Sequence, residues 1–258
     1  MKVTLLGCGS STGVPVIGCD CKVCTSDNPR NKRTRVSVLV ETGGMNLLID
    51  SSPDLRQQAL RHAIRRVDAV LYTHEHADHA HGIDELRSFN YLSDSALPVY
   101  GSAESLGLLQ KRFAYAFLSD KPEIWYRPWL IPHTLPDEAV YKFNIRDIPI
   151  VSFQQIHGKM KTIGYRIGNF SYSTDLDTLP ESSFKALEGT EIWVVDCLRY
   201  KKSHNHSNLE NTLKWIARVK PKLAVLTHMS HELDYDTLAK ALPPGVVPGY
   251  DGMVMKLP

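Results

Sequence analysis

Six consecutive residues constrain this chain more than anything else in it: His74-Glu75-His76-Ala77-Asp78-His79. An apolar run, Val67 to Tyr72, precedes them and reads as a buried strand. Ala80-His81-Gly82-Ile83 follows and leads into a helical pattern over 82–92. Imidazoles and carboxylates crowded at one strand end cannot bury unpaired, because desolvating each costs several kcal/mol. They are solvated, hydrogen-bonded or bound to metal. A polar loop accounts for one such His far better than for this cluster. Imidazole nitrogen mixed with carboxylate oxygen suits Zn, Mn and Fe.

The pattern recurs. Run 67–72 ends at His74, 148–156 at His157, 170–173 at Asp175 and 222–227 at His228. Strands whose polar ends collect on one rim make a site on a rigid platform. Eleven His in 258 residues agree with metal chemistry. Asp50 also closes a strand and is placed to orient a ligand His by accepting its other N–H. His81 and Asp84 have the same option or lie on the surface, and Glu75 is given no catalytic role.

Three of the five Cys form a second cluster, Cys19-Asp20-Cys21-Lys22-Val23-Cys24, in a loop over about 15–33. Cys-x-Cys-x-x-Cys wraps three thiolates around one tetrahedral ion, here a structural zinc, but no fourth ligand stands nearby in the sequence. An odd Cys number without a secretory signal argues against a disulfide framework. Met1 to Gly7 reads as a first strand, not a signal peptide, and no run is long enough to span a membrane, so a cytoplasmic chain with no membrane partner is expected. A formal net charge of +2 makes a nucleic-acid partner unexpected as well.

The remaining segments alternate between strand and helix patterns. Strands are read at 2–8, 35–41, 45–50, 97–100, 139–144, 161–168 and 191–197, with helices at 54–64, 102–117, 180–188, 208–219 and 234–242. Gly7-Cys8-Gly9-Ser10-Ser11-Thr12-Gly13 is a tight turn or an anion-binding nest, but not a P-loop, lacking the Gly-Lys-Ser/Thr ending. Residues 118–138 read as irregular; Trp125, Tyr126 and Trp129 line a pocket there or form an apolar flap. No repeat or linker divides the chain, which is read as a single domain over 1–258.

His74-x-His76-x-Asp78-His79, with His157, Asp175 and His228 at these separations, resembles the metallo-β-lactamase superfamily. Gly7-x-Gly9 leading to Gly13-Val14-Pro15, the Cys cluster, Thr227-His228-x-Ser230-His231 and Asp251-Gly252-Met253 resemble its branch of cyclic phosphodiesterases from carbon–phosphorus lyase operons. The resemblance implies a four-layer α/β/β/α sandwich, an α/β fold. It implies a dinuclear centre of Mn or Zn, with His74, His76 and His157 on one ion, Asp78, His79 and His228 on the other, and Asp175 bridging. It supplies His231 as the fourth ligand of the structural zinc, and it implies a homodimer.

The activity so implied is hydrolysis of a small cyclic phosphate or nucleotide-like phosphodiester by hydroxide generated at the metal pair. Asp78 counts as catalytic through the second ion. His206 is the candidate general acid, with His204 its competitor. Two other activities fit the same motif: an RNA 3′-end processing endonuclease, although the long basic arm of those enzymes is missing, and a thioester or lactam hydrolase.

Overall fold

The computed structural model describes residues 1–117 and 129–258. Its strands form two sheets. The first runs β14-β1-β2-β3-β4-β5-β6, from β1 (Lys2–Gly7), β2 (Ser37–Thr42), β3 (Met45–Ile49), β4 (Ala69–Leu71), β5 (Leu97–Ser102), β6 (Leu130–Leu135) and β14 (Met253–Lys256). The second runs β13-β12-β11-β10-β9-β8-β7, from β7 (Val140–Ile145), β8 (Ile148–His157), β9 (Met160–Ile167), β10 (Phe170–Ser173), β11 (Ile192–Asp196), β12 (Leu223–Thr227) and β13 (Val246–Pro248). Both are mixed. β3 to β6 and β10 to β13 are parallel, whereas β14 to β3 and β7 to β10 are antiparallel.

Side-chain alternation sets the layers. Val38, Val40, Leu47, Ile49, Ala69 and Leu71 join residues of the second sheet, such as Phe153, Tyr165 and Tyr172, in one buried core. Their neighbours Leu39, Leu48, Val70 and Tyr72 turn to the other face. There they meet Leu55 of α1 (Leu55–Arg61), Ala80 of α2 (Ala77–Ala80), Leu86 and Phe89 of α3 (Leu86–Ser93), and Leu106 and Leu109 of α4 (Ala103–Arg112). On the second sheet, Leu187 of α5 (Glu181–Leu187), Trp215 and Ile216 of α6 (Leu209–Val219) and Leu238 of α7 (Tyr235–Ala241) join the core. Two mixed sheets flanked by helices are the expected α/β sandwich.

Three local expectations change. Part of the stretch read as irregular over 118–138 is the regular strand β6, paired parallel to β5 along its whole length. It is the edge strand, where Pro132 withholds no needed ladder bond. Residues 118–128 lie outside the described residues, and with them Trp125 and Tyr126; Trp129 is buried in the core beside the first sheet. The helix expected over 82–92 is instead a 3₁₀ turn at Ile83–Glu85 followed by α3, and α2 precedes it without having been expected. The glycine loop is a tight turn: the N–H groups of Gly9, Ser10 and Gly13 are consumed by the carbonyls of Thr34, Met229 and Ser10. A Cβ on Gly9 would lie 2.8 Å from the Arg33 carbonyl oxygen, so close approach of two backbones explains this glycine.

Candidate metal centre

Strand direction assembles the site. β8, β10, β11 and β12 run the same way, so their C-terminal ends share a rim with those of β3 and β4 from the facing sheet. After β4 the chain stays extended through His74 and His76, whose i, i+2 spacing puts both rings on one side, 4.5 Å apart between centroids. It then turns into α2 at Ala77, which re-aims Asp78 and His79. The backbone changes between His76 and Ala77, which separates the pair His74 and His76 from the pair Asp78 and His79, the division that the resemblance implies.

His157 is the last residue of β8, while Asp175 and His228 follow β10 and β12. Asp50, Asp175 and His228 all have left-handed backbones, with φ of 60°, 52° and 56°. That conformation costs a non-glycine residue of order 1–3 kcal/mol and persists only where the surroundings enforce it. Three such turns at one rim mark the place where local comfort yields to the site.

The donors fall into two sets that meet at Asp175. Its Oδ2 lies 3.7 Å from His74 Nε2 and 3.8 Å from His157 Nε2. Its Oδ1 lies 3.1 Å from His79 Nε2 and 3.2 Å from His228 Nε2. Asp78 Oδ2 completes the second set, 3.3 Å from His79 Nε2 and 3.4 Å from His228 Nε2. The first set is His74, His76, His157 and Asp175; the second is Asp78, His79, Asp175 and His228.

Both sets fit divalent cations. Nε2 of His74 and of His79 is buried without a hydrogen-bond partner among the described residues. Donors so placed are costly unless something binds them. The charges agree. Burial pushes the His79 imidazole down, yet Asp175, Asp78 and Asp50 together drive it well above its ordinary value. His228 behaves alike and rises to about 9: burial opposes it, and Asp175 leads the carboxylates that prevail. Burial and the neighbouring His79 hold His74 well below its usual range. The cluster thus draws positive charge, which an ion can supply without protonating the ligands.

Supporting groups fix the rings. Asp50, wholly buried, accepts from Nδ1 of His79 at 2.8 Å through Oδ2, and from the Thr73 N–H at 2.8 Å through Oδ1. His157 Nδ1 donates to the Asn205 carbonyl. Thr73 Oγ1 lies 3.0 Å from His74 Nδ1. Asn205 and Thr73 escaped sequence reading, because a carbonyl or a common hydroxyl has no motif. His81 and Asp84 are exposed: His81 packs edge-on to Phe113, and Asp84 accepts from Tyr115.

His206 lies at the edge of the centre. Its Nδ1 is 3.2 Å from Asp196 Oδ2, and its ring stacks on His228 at 4.9 Å. It lines a cleft of about 600 Å³ with Asp177, Lys202, His204 and Asn208. His204 is exposed and belongs to none of the clusters that could hold an ion.

The Cys cluster meets His231 across the chain. Nδ1 of His231 lies 3.2 Å from Cys19 Sγ, 3.7 Å from Cys21 Sγ and 3.6 Å from Cys24 Sγ. All five Cys are free thiols. The amide of Cys24 leads in lowering Cys21 to about 7, toward the thiolate a metal requires, whereas burial raises Cys24 to about 11. Buried Arg33 reinforces the join by donating to the carbonyls of Ser230 and Leu233.

The family model described as the beta-lactamase superfamily domain matches residues 45–229, the span that holds every donor of both sets. The chain belongs to the metallo-β-lactamase superfamily. It therefore has the fold of a family of hydrolases that use divalent metals such as zinc. A crystal structure of a new diphosphatase from the PhnP family superposes with a TM-score of 0.91 and 35% identity, covering 100% of this chain and 98% of that one. An octanoyltransferase from Porphyromonas gingivalis is 36% identical over 256 residues, 98% of this chain and 51% of its own. The chain thus spans about half the length of that relative; coenzyme PQQ synthesis protein B from Methylobacterium nodulans is 36% identical over 101 residues, 34% of each chain. Zinc-bound PqqB from Methylobacterium extorquens (TM-score 0.79, 19% identity, 100% of each chain) and the short form of human tRNase Z (0.73, 17%, 100% of each) share the fold. No described helix is long and apolar enough to cross a membrane.

Proposed function

We propose that this chain is a dinuclear metal-dependent phosphoesterase acting on a small phosphodiester or cyclic phosphate. The observation that carries this reading is Asp175, whose two oxygens face two separate sets of buried imidazoles. A carboxylate so placed suits a pair of cations, and paired cations serve displacement at phosphorus. The likeness to the diphosphatase, over the full length of both chains, supports phosphorus over other centres.

His74, His76 and His157 would hold one ion, Asp78, His79 and His228 the other, and Asp175 both; bound there, divalent ions supply Lewis acidity and activate water at neutral pH. The residues themselves do the positioning. Asp50 and the Asn205 carbonyl lock His79 and His157 with Nε2 facing inward. His206 stands at the rim as general acid for the leaving alcohol. Asp196 takes its Nδ1–H and leaves Nε2 to give up a proton. His204, exposed in the cleft wall, is the weaker candidate. Cys19, Cys21, Cys24 and His231 would hold a structural zinc that fastens the loop over 15–33 behind the His228 turn.

A second reading is thioester hydrolysis on the same centre. The Porphyromonas gingivalis relative, an octanoyltransferase by name, favours it. One assay separates the two. Metal-loaded chain is offered bis-p-nitrophenyl phosphate, 2′,3′-cyclic nucleotides, a ribose cyclic phosphate, a precursor tRNA and an acyl thioester. Turnover of the small phosphodiesters is expected; turnover of the thioester alone would overturn the main reading.

A further inference from the structure

A third group of donors shares Asp175 and His228 with the centre and adds Asp196 and His206. Asp196 closes β11 and is wholly buried. One of its oxygens accepts from the Leu176 N–H at 3.2 Å and lies 3.2 Å from His206 Nδ1; the other has no hydrogen-bond partner among the described residues. Nδ1 of His228, also buried, has none either. A buried carboxylate needs a cation beside it, and losing that partner is strongly destabilising. Asp50 meets this need with His79. Among the described residues, the side chain that Asp196 meets at hydrogen-bond distance is His206, and an imidazole nitrogen answers a carboxylate either as an N–H donor or, once that proton is gone, as a fellow ligand of a metal.

The distances permit the second. Zinc binds imidazole nitrogen and carboxylate oxygen at about 2.0–2.2 Å, so two donors of one ion stand at most about 4.3 Å apart. His206 Nδ1 lies 3.2 Å from Asp196 Oδ2 and 4.0 Å from Asp175 Oδ2. His206 is partly exposed at a cleft, so an ion has a way in.

We propose that Asp196 and His206, with Asp175 shared from the centre, form an additional zinc site that fills only at excess metal and inhibits the enzyme. The proposal rests on the reading of the centre as dinuclear and of His206 as the acid. Binding here is weaker than at the centre, since Asp175 already serves two ions and a third cation is repelled by both. It is inhibitory because a metal on His206 Nδ1 breaks the bond to Asp196 that orients the ring, and pulls the ring out of register with the leaving group.

Equilibrium dialysis against zinc alone, counting ions per chain as free zinc rises, tests this in the wild-type protein, His206→Ala and Asp196→Asn. Wild type should take up one ion more than either variant. That last ion should enter over the zinc range in which wild-type turnover falls. In His206→Ala, zinc should inhibit the residual turnover only at a concentration about tenfold higher or more, the scale of a lost metal contact. Equal saturating counts in wild type and His206→Ala overturn the proposal, as does equal zinc sensitivity. Should Asp196→Asn fail to fold, His206→Ala, changed in a partly exposed loop, carries the test. Zinc counts in Asp78→Ala and His74→Ala that equal the wild-type count refute the centre itself, an outcome separate from the His206→Ala comparison.

Discussion

Asp50 and His79 face each other across the two turns that end β3 and begin α2, with Oδ2 2.8 Å from Nδ1 in a wholly buried pair. The same carboxylate holds the N–H and hydroxyl of Thr73, each at 2.8 Å. It thus sets both the ring orientation of one ligand and the backbone from which His74 departs. Asp50→Ala should lower affinity for the ion on Asp78, His79 and His228 by about 10–100-fold, the usual effect of removing such a support. Competition titration with a chromophoric chelator measures this. Unchanged affinity would mean that His79 is not a ligand.

Asp78 belongs to the second donor set alone, whereas Asp175 belongs to both. Asp78→Ala should therefore remove one ion per chain, keep the other, and abolish most turnover. Metal analysis after dialysis, paired with rates on bis-p-nitrophenyl phosphate, reads both. Loss of both ions would show that the two sets act as a single unit.

The gathering of the donors was legible for a physical reason: His74, His157, Asp175 and His228 each stand at or just past the end of an apolar run, so their place at a strand end can be read without knowing the fold. The hairpin of β2 and β3 around Gly43-Gly44 was legible too, but not its two faces, because Val38-Leu39-Val40 and Leu47-Leu48-Ile49 are apolar throughout and buried on both sides. What could not be read has equally physical causes. α2 is only four residues long, far below what forms a helix unaided, so packing and not propensity creates it. β6 contains a proline and stands at an edge, where strand rules relax. His231 completes the Cys cluster from 207 residues away, and only the family resemblance pointed to it.

Cys21→Ser tests that cluster. With Cys19, Cys24 and His231 left, a tetrahedral zinc loses one of four ligands. The chain should lose one tightly held ion and unfold at a lower temperature, because the loop and the His228 turn are no longer tied. Total zinc and a thermal melt should change together; neither changing would remove the structural zinc.

Metal uptake should depend on pH through His228. Its folded-state pKa is raised to about 9 in the metal-free chain, against an ordinary value of 6.5. Below about 9 the imidazole carries a proton that coordination must expel. Affinity for the second ion should therefore climb as pH rises from 6.5 to 9 and level off above. The same raised pKa stabilises the metal-free fold fully below 6.5, and that contribution is lost as pH rises through 9. Calorimetric titrations in two buffers of different ionisation enthalpy should show proton release at pH 7.5 that vanishes near pH 10.

Glu75, between two ligands and given no role from sequence, is gripped by both ends of α4. Ser105 in the first turn donates to its carboxylate at 2.7 Å, and Arg112 in the last turn donates to its backbone carbonyl at 2.7 Å. Ser102, the N-cap of α4, holds Ser105 in place. A rigid helix thus braces the extended segment that carries His74 and His76. Glu75→Ala should loosen that segment and weaken the first ion more than the second, with a loss of kcat exceeding any rise in KM. Glu75→Gln keeps an acceptor for Ser105 and should recover most of the activity. Site-resolved metal affinities of the two variants check this; equal losses at both ions, or no recovery in Glu75→Gln, would reduce Glu75 to a general folding role.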